Sequence, residues 1–169
     1  GRLRIYRIPL PEHRSGMIDQ ARAFVYFARG VRKMLLGRRY DLVFATSSRL
    51  MTAVLGALIA KKMRGRLYLD IRDIFVESIR EVVPSPLALL TTPIFSSLER
   101  WALECADHVN LVSPGFAPYF ERRYPHRRFS YHTNGIDSDF LVAASETSSQ
   151  RLERSQPLTI TYAGNLGDG

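Results

Sequence analysis

The alternation of short apolar runs with longer stretches of helical spacing constrains this chain more than any other feature. Asp41-Leu42-Val43-Phe44-Ala45, Leu67-Tyr68-Leu69 and Val109-Asn110-Leu111-Val112 read as short buried strands. Between them, apolar residues recur at helical spacing. Met17 to Leu36 reads as a helix with Gly37 as its cap, and Thr46-Ser47-Ser48 offers caps for a second helix reaching about Met63. Leu87 to Asp107 is a third, with Pro93 as a candidate break, and Pro114 to Tyr124 a short fourth. Leu3 to Ile8 alternates apolar and basic residues as a half-exposed strand does, and Phe129-Ser130-Tyr131 and Leu158 to Ala163 complete the strands. Strands separated by helices pair in parallel through right-handed crossovers. The expected fold class is α/β, a doubly wound parallel sheet.

Several classes of protein are excluded by what is missing. The longest strongly apolar run, Thr52 to Ala60, is less than half of the roughly 20 residues that a membrane-spanning helix needs. The lone Cys105 excludes an internal disulfide framework and a cysteine-based zinc cluster. His13, His108, His126 and His132 show no metal-ligand spacing, and no Ser/His/Asp or Cys/His set stands out for hydrolase chemistry.

Charge is unevenly spread. The formal net charge is +8, but residues 1–66 hold 15 Lys/Arg against 3 Asp/Glu, while residues 67–169 hold 9 against 13. The front of the chain therefore favours an anionic partner. Arg22, Tyr26, Arg29 and Lys33 are spaced 4, 3 and 4 and share a helix face, with Phe24, Val25, Ala28 and Val31 expected on the opposite, core-facing side. A charged stripe is usually a solvated face. Here Phe27, Met34 and Leu36 add apolar surface beyond one core stripe, a combination that suits an anionic bilayer.

Four segments, read in order, carry a resemblance. Leu98 to Ser113, with its acidic helix, Ala106-Asp107, apolar strand and Ser, is similar to a helix-to-strand passage of bacterial family 4 glycosyltransferases, retaining sugar transferases of the GT-B fold. Thr133-Asn134-Gly135-Ile136-Asp137 with Phe140 resembles their Pro-Asn-Gly-Val-Asp…Phe segment. Thr161-Tyr162-Ala163-Gly164-Asn165-Leu166-Gly167 resembles the first strand and glycine loop of their second domain. Asp70-Ile71-Arg72-Asp73-Ile74-Phe75-Val76-Glu77-Ser78 resembles a stretch of the O-antigen and capsule branch, which includes fucosamine-type transferases. Val76 and Thr133 stand where those patterns have Pro. The resemblance implies a Rossmann-like, acceptor-side N-terminal domain over residues 1–144, without its first β-α-β stretch. It also implies a linker over 145–157 and the start of a donor-binding domain over 158–169. Both ends are expected to be cuts within a longer protein.

The resemblance also implies where chemistry would lie. In GT-B enzymes the site is at the carboxyl ends of strands, where Asp70, Arg72 and Asp73 fall. Arg72 would hold an anionic group at two points, and Asp73, or Glu77 one turn on, would orient an acceptor hydroxyl or take its proton. Equally, Asp73 caps the next helix and Arg72 pairs with Asp70. Ser113 faces the cleft or caps a helix, and Asn134 makes a turn or a contact. Gly164, Asn165 and Gly167 would face a donor diphosphate. Asp70-x-x-Asp73 is not the Asp-x-Asp metal motif, so no metal and no cofactor is expected. The implied activity is sugar transfer from a nucleotide-sugar to a polyprenyl-diphosphate-linked saccharide in surface-polysaccharide synthesis. The implied location is cytoplasmic, peripheral at the inner face of the plasma membrane, with Arg22, Arg29 and Lys33 on the lipid. No nucleic-acid partner is expected, although a basic nucleic-acid-binding α/β domain is the first alternative. A noncatalytic sugar-nucleotide-binding module is the second.

Overall fold

A computed structural model describes residues 3–11, 17–47, 49–77 and 85–138. It contains α1 (Met17–Met34), β1 (Leu42–Ser47), α2 (Leu50–Met63), β2 (Arg66–Ile71), α3 (Ser85–Cys105), β3 (His108–Leu111), a 3-10 turn (Pro114–Phe116) and α4 (Ala117–Arg123). The three strands form one sheet in the order β1-β2-β3, and both pairings are parallel. This is the expected Rossmann-like α/β architecture, with a helix connecting each strand to the next.

One sheet face makes the core. Ala45, Leu67, Leu69, Ile71, Val109 and Leu111 point into a buried cluster with Ala53, Val54 and Ala57 of α2, Ala102 and Leu103 of α3 and Phe120 of α4. α2 is apolar nearly all round because it lies between the sheet and α3. Gly56 sets how closely it sits. A Cβ built there would lie 2.7 Å from the Cβ of Ala45. On the other face, Phe44, Tyr68 and His108 stack in a row, with ring centroids 5.3 and 4.6 Å apart.

Asp107 explains why the Ala-Asp pair precedes β3. Its carboxylate accepts the Leu67 N–H at 2.7 Å and its own N–H donates to the Leu67 carbonyl at 2.8 Å. It thereby extends the β2–β3 ladder by one rung. Arg127 completes the end of α3, donating to the carbonyl of Ala106 and to that of Leu103, which also accepts the Ala106 N–H at 3.1 Å.

The structure corrects several expectations. Residues 3–8 form no strand: Leu3 and Ile5 are exposed, and Ile8 packs its side chain against Gly30 of α1 instead of pairing with a sheet edge. Thr46 and Ser47 do not cap α2, because both belong to β1. Arg49 stands at the N-cap with no side-chain bond. Pro93 does not break α3, and the Ser97 hydroxyl bonds the Pro93 carbonyl one turn on. Residues 129–131 reduce to a single parallel bridge between Ser130 and Asn110. Val25 is 44% exposed, so the buried face of α1 is centred on Ala23 and not on Val25. Gly37, with φ +71°, ends α1 as expected. Trp101 and Cys105 pack partly buried against the core. Ser48, Ser78, Phe140, the 145–157 linker and the 158–163 strand lie outside the described residues.

The Gly56 contact makes a prediction that runs against helix propensity. Gly→Ala inside a helix ordinarily stabilises by about 0.8–1 kcal/mol. Overpacking costs about 1–3 kcal/mol, and the Ala45 methyl has no rotamer by which to withdraw. Gly56→Ala should therefore lower stability in chemical denaturation, and adding Ala45→Gly should recover part of the loss. A Gly56→Ala protein as stable as wild type would show that α2 has room to shift.

Candidate functional site

The parallel register builds the site. Phe44, Tyr68 and His108 are aligned across the three strands, and two residues further on Thr46, Asp70 and Asn110 are aligned likewise. Side chains two apart along a strand share a face, so the polar row continues the aromatic row to the carboxyl edge of the sheet. Arg72 follows, its N–H bonding the Ser47 carbonyl at 3.0 Å.

Asp70 is the centre of the row. It is 6% exposed. Its Oδ1 accepts from Asn110 Nδ2 at 2.8 Å, and its Oδ2 accepts from the Thr46 hydroxyl and from Arg72 Nε, each at 3.1 Å. Thr46 also accepts from Arg72 Nε at 2.8 Å. A buried carboxylate requires this kind of pairing. The Arg72 side chain remains 43% exposed and is gripped through Nε alone. Its two terminal nitrogens have no partner among the described residues, and they form the fork that grips carboxylate or phosphate at two points.

Asn110 forms the second wall. Its Oδ1 accepts from the His132 N–H at 2.8 Å and the Ser130 hydroxyl at 3.0 Å, and its Nδ2 also donates to the His132 carbonyl at 3.0 Å. The amide thus uses its full hydrogen-bonding capacity. The backbone bonds of Ser130 to Val109 and Leu111 hold the segment against β3, and the amide takes over at His132, where the ladder stops.

The other candidates fall as follows. Asp73 is exposed, and its Oδ1 accepts from the Ile74 N–H at 2.8 Å. Ser113 caps the 3-10 turn, accepting from the Gly115 N–H at 3.1 Å. Asn134 is exposed on the segment that leaves the Asn110 wall. Glu77 is exposed, and its charge acts on Glu99. Gly164, Asn165 and Gly167 lie outside the described residues. Arg22, Arg29 and Lys33 are all exposed on α1. Among the described residues, no three His, Cys, Asp or Glu side chains gather as metal ligands would, and no helix is long and apolar enough to cross a membrane.

Glu99 is the polar centre that the sequence does not announce. It is 2% exposed in the contact between α3 and α4. Its Oε1 accepts from Tyr124 at 2.7 Å and Tyr119 at 3.1 Å, while Arg123 Nε stands 3.6 Å away. Burial pushes its carboxyl above the usual range, against the hydrogen bond from Tyr124 and the charge of Arg123, and the nearby Glu77 charge adds to the rise. An acid with a raised folded-state pKa contributes stability that is fully present below its unfolded pKa. That contribution is lost as pH rises through the folded value. Glu99→Gln cannot ionise, so the melting temperature of wild type minus that of Glu99→Gln should fall as pH rises above the ordinary glutamate range. A difference that is flat with pH would show that Glu99 is not strained by its burial.

A comparison with known sequences agrees with this geometry. No curated protein matches the chain significantly. The family model described as a glycosyl transferase 4-like domain matches residues 1–135, which covers every element of the sheet and the row at its carboxyl edge. An α/β parallel sheet with an anchored cation at that edge is thus found in a chain that belongs to the glycosyl transferase 4-like domain family.

Proposed function

We propose that this chain is the acceptor-side part of a retaining glycosyltransferase. In the proposed reaction a sugar moves from a nucleotide-sugar to a lipid-diphosphate-linked saccharide, in surface-polysaccharide synthesis. The observation that carries the reading is Arg72, held by Asp70 and Thr46 through Nε, with its fork at the carboxyl edge of the sheet. A guanidinium fixed in this way meets an anionic acceptor group without first losing rotamer freedom. Asp73, the next residue, orients the attacking hydroxyl or takes its proton, with Glu77 as the alternative carboxylate. Ser113 and Asn134 flank the acceptor. Gly164, Asn165 and Gly167 act with the donor.

Asp73→Asn separates the capping role from the catalytic one. Asn is a good cap, so the melting temperature should hold. Loss of a group that orients or accepts a proton costs about 100- to 10,000-fold in rate. In the full-length enzyme, transferase assays with lipid-linked acceptor should show that loss for Asp73→Asn. Arg72→Lys should fall as well, since Lys lacks the planar fork. Near-normal turnover by Asp73→Asn assigns Asp73 to capping and leaves Glu77 to be tested.

The proposed workplace is the inner face of the plasma membrane. Ile18, Arg22, Val25 and Arg29 follow one another at spacings of four, three and four, and Ile18 is 85% exposed. Leu36, 69% exposed, continues the line just past the helix. Exposed apolar residues set among arginines favour an anionic bilayer, where each cation contributes about 1 kcal/mol. Reversing the charge at Arg22, Arg29 and Lys33 should abolish most sedimentation with anionic vesicles while the circular dichroism spectrum is unchanged. Equal sedimentation of the two proteins would remove α1 from the membrane.

A further inference from the structure

A second cationic feature lies at the opposite edge of the sheet. The C-terminal ends of α1 and α2 enclose a cavity of about 430 Å³, lined by Arg32, Arg38, Arg39, Lys62 and Arg64 above apolar side chains that include Ile59. No carboxylate lines it. Among the described residues none of the five cations forms an ion pair. Arg38 alone is engaged, with its guanidinium 4.9 Å from the centre of the Tyr6 ring. α2 ends here, just before β2 begins, so the cavity is one strand length, about 17–20 Å, from Asp70 and Arg72. A group bound there is out of reach of the transfer cleft.

Cations near helix C-termini have an ordinary explanation, since they complement the negative end of the helix dipole. That explanation covers Lys62 and Arg32, which lie in last turns. It does not cover the backbone of Arg64. Arg64 ends α2 with φ 56° and ψ 31°, the left-handed conformation that glycine or asparagine adopts most readily. It is the one non-glycine residue with positive φ among the described residues. Gly37 serves the same purpose at the end of α1, at φ +71° and without a side chain, and lines the same cavity. The left-handed backbone lets the Arg64 N–H bond the Ala60 and Lys61 carbonyls, but glycine would do this more readily, and an exposed cationic side chain lining the cavity beside four other exposed cations is more than the cap requires.

We propose that this cavity is a binding site for a multiply charged phosphate group, a phosphomonoester or diphosphate, separate from the transfer cleft. Arg32, Arg39, Lys62 and Arg64, with Arg38 committed to Tyr6 beside them, supply enough charge to neutralise two or more negative charges, and guanidinium forks match phosphate oxygens at two points. The group arrives either on a soluble molecule or on a lipid headgroup. The two sources share this chemistry and differ in the experiment. The proposal does not depend on the transferase reading, because none of its residues belongs to the Asp70 row.

The test uses the 169-residue chain at low salt, with Arg64→Gly, Lys62→Gln and the double variant. Arg64→Gly removes a charge and relieves the backbone, so its melting temperature should equal or exceed that of wild type. Inorganic pyrophosphate should raise the wild-type melting temperature, the effect should weaken steeply with salt, and calorimetry should show at least about tenfold weaker binding by the double variant. A difference confined to vesicles containing phosphatidic acid, absent with neutral vesicles and with pyrophosphate, assigns the site to a lipid headgroup and also supports it. Arg39→Gln gives a second reading if the double variant fails to fold. The proposal fails if wild type and variants respond alike to both probes, or if Arg64→Gly lowers the melting temperature while pyrophosphate leaves every protein unchanged, the result expected of dipole capping alone.

Discussion

The rest of the site depends on one buried charge. Asp70 lies in the central strand, and its two oxygens reach both neighbours: Thr46 on β1 and Asn110 on β3. An unpaired carboxylate at that depth would cost several kcal/mol, so Thr46, Arg72 and Asn110 are needed together. The same bonds set the register. Sliding β3 by two residues against β2 would keep every apolar side chain on its own face, and hydrophobic patterning would not resist it. Such a slide would set Asp70 opposite His108 or Val112 and part the Asn110 amide from the Asp70 carboxylate. The polar row therefore penalises an error that the core tolerates.

Much of the scaffold was legible because periodicity reports burial. The apolar runs at 42–45, 67–69 and 109–111 became β1, β2 and β3, and α1, α2 and α3 lie where helical spacing placed them. The errors share a physical origin. Leu3 to Ile8 has strand alternation, but alternation says only that one side is covered, and α1 provides that cover through Gly30. Val25 lies at the margin of a broad apolar arc on α1, and only packing decides which edge of that arc is buried. Pro93 is a helix breaker by local rule, and here the helix continues through it, packed on α2 and with the Ser97 hydroxyl on the Pro93 carbonyl.

The site was legible as a location more than as a network. Asp70 and Arg72 stood out because they end a strand, and their pairing was one of the two readings that the sequence left open. Thr46, Asn110 and Ser130 were missed as polar partners. They lie 24, 40 and 20 residues from the groups they bind, and no spacing rule spans such separations. Glu99 looked like one more acidic residue on a helix. Its only signal is a weak one: it falls on the helix face shared with Leu103 and Ala106, where a lone carboxylate needs a partner.

The Glu99 cluster has a mechanical consequence. Tyr124 is fastened to α3 through Glu99, and three residues later Arg127 is fastened to the end of the same helix through two carbonyls. The chain then runs directly to Ser130 and His132, which close against Asn110. The segment that closes the site is thus moored to both layers: to α3 through Glu99 and Arg127, and to β3 through the Asn110 amide and the Ser130 backbone bonds. Loosening Glu99 would release one mooring and leave the other, so a change in the helical layer reaches the wall of the site without detaching it from the sheet.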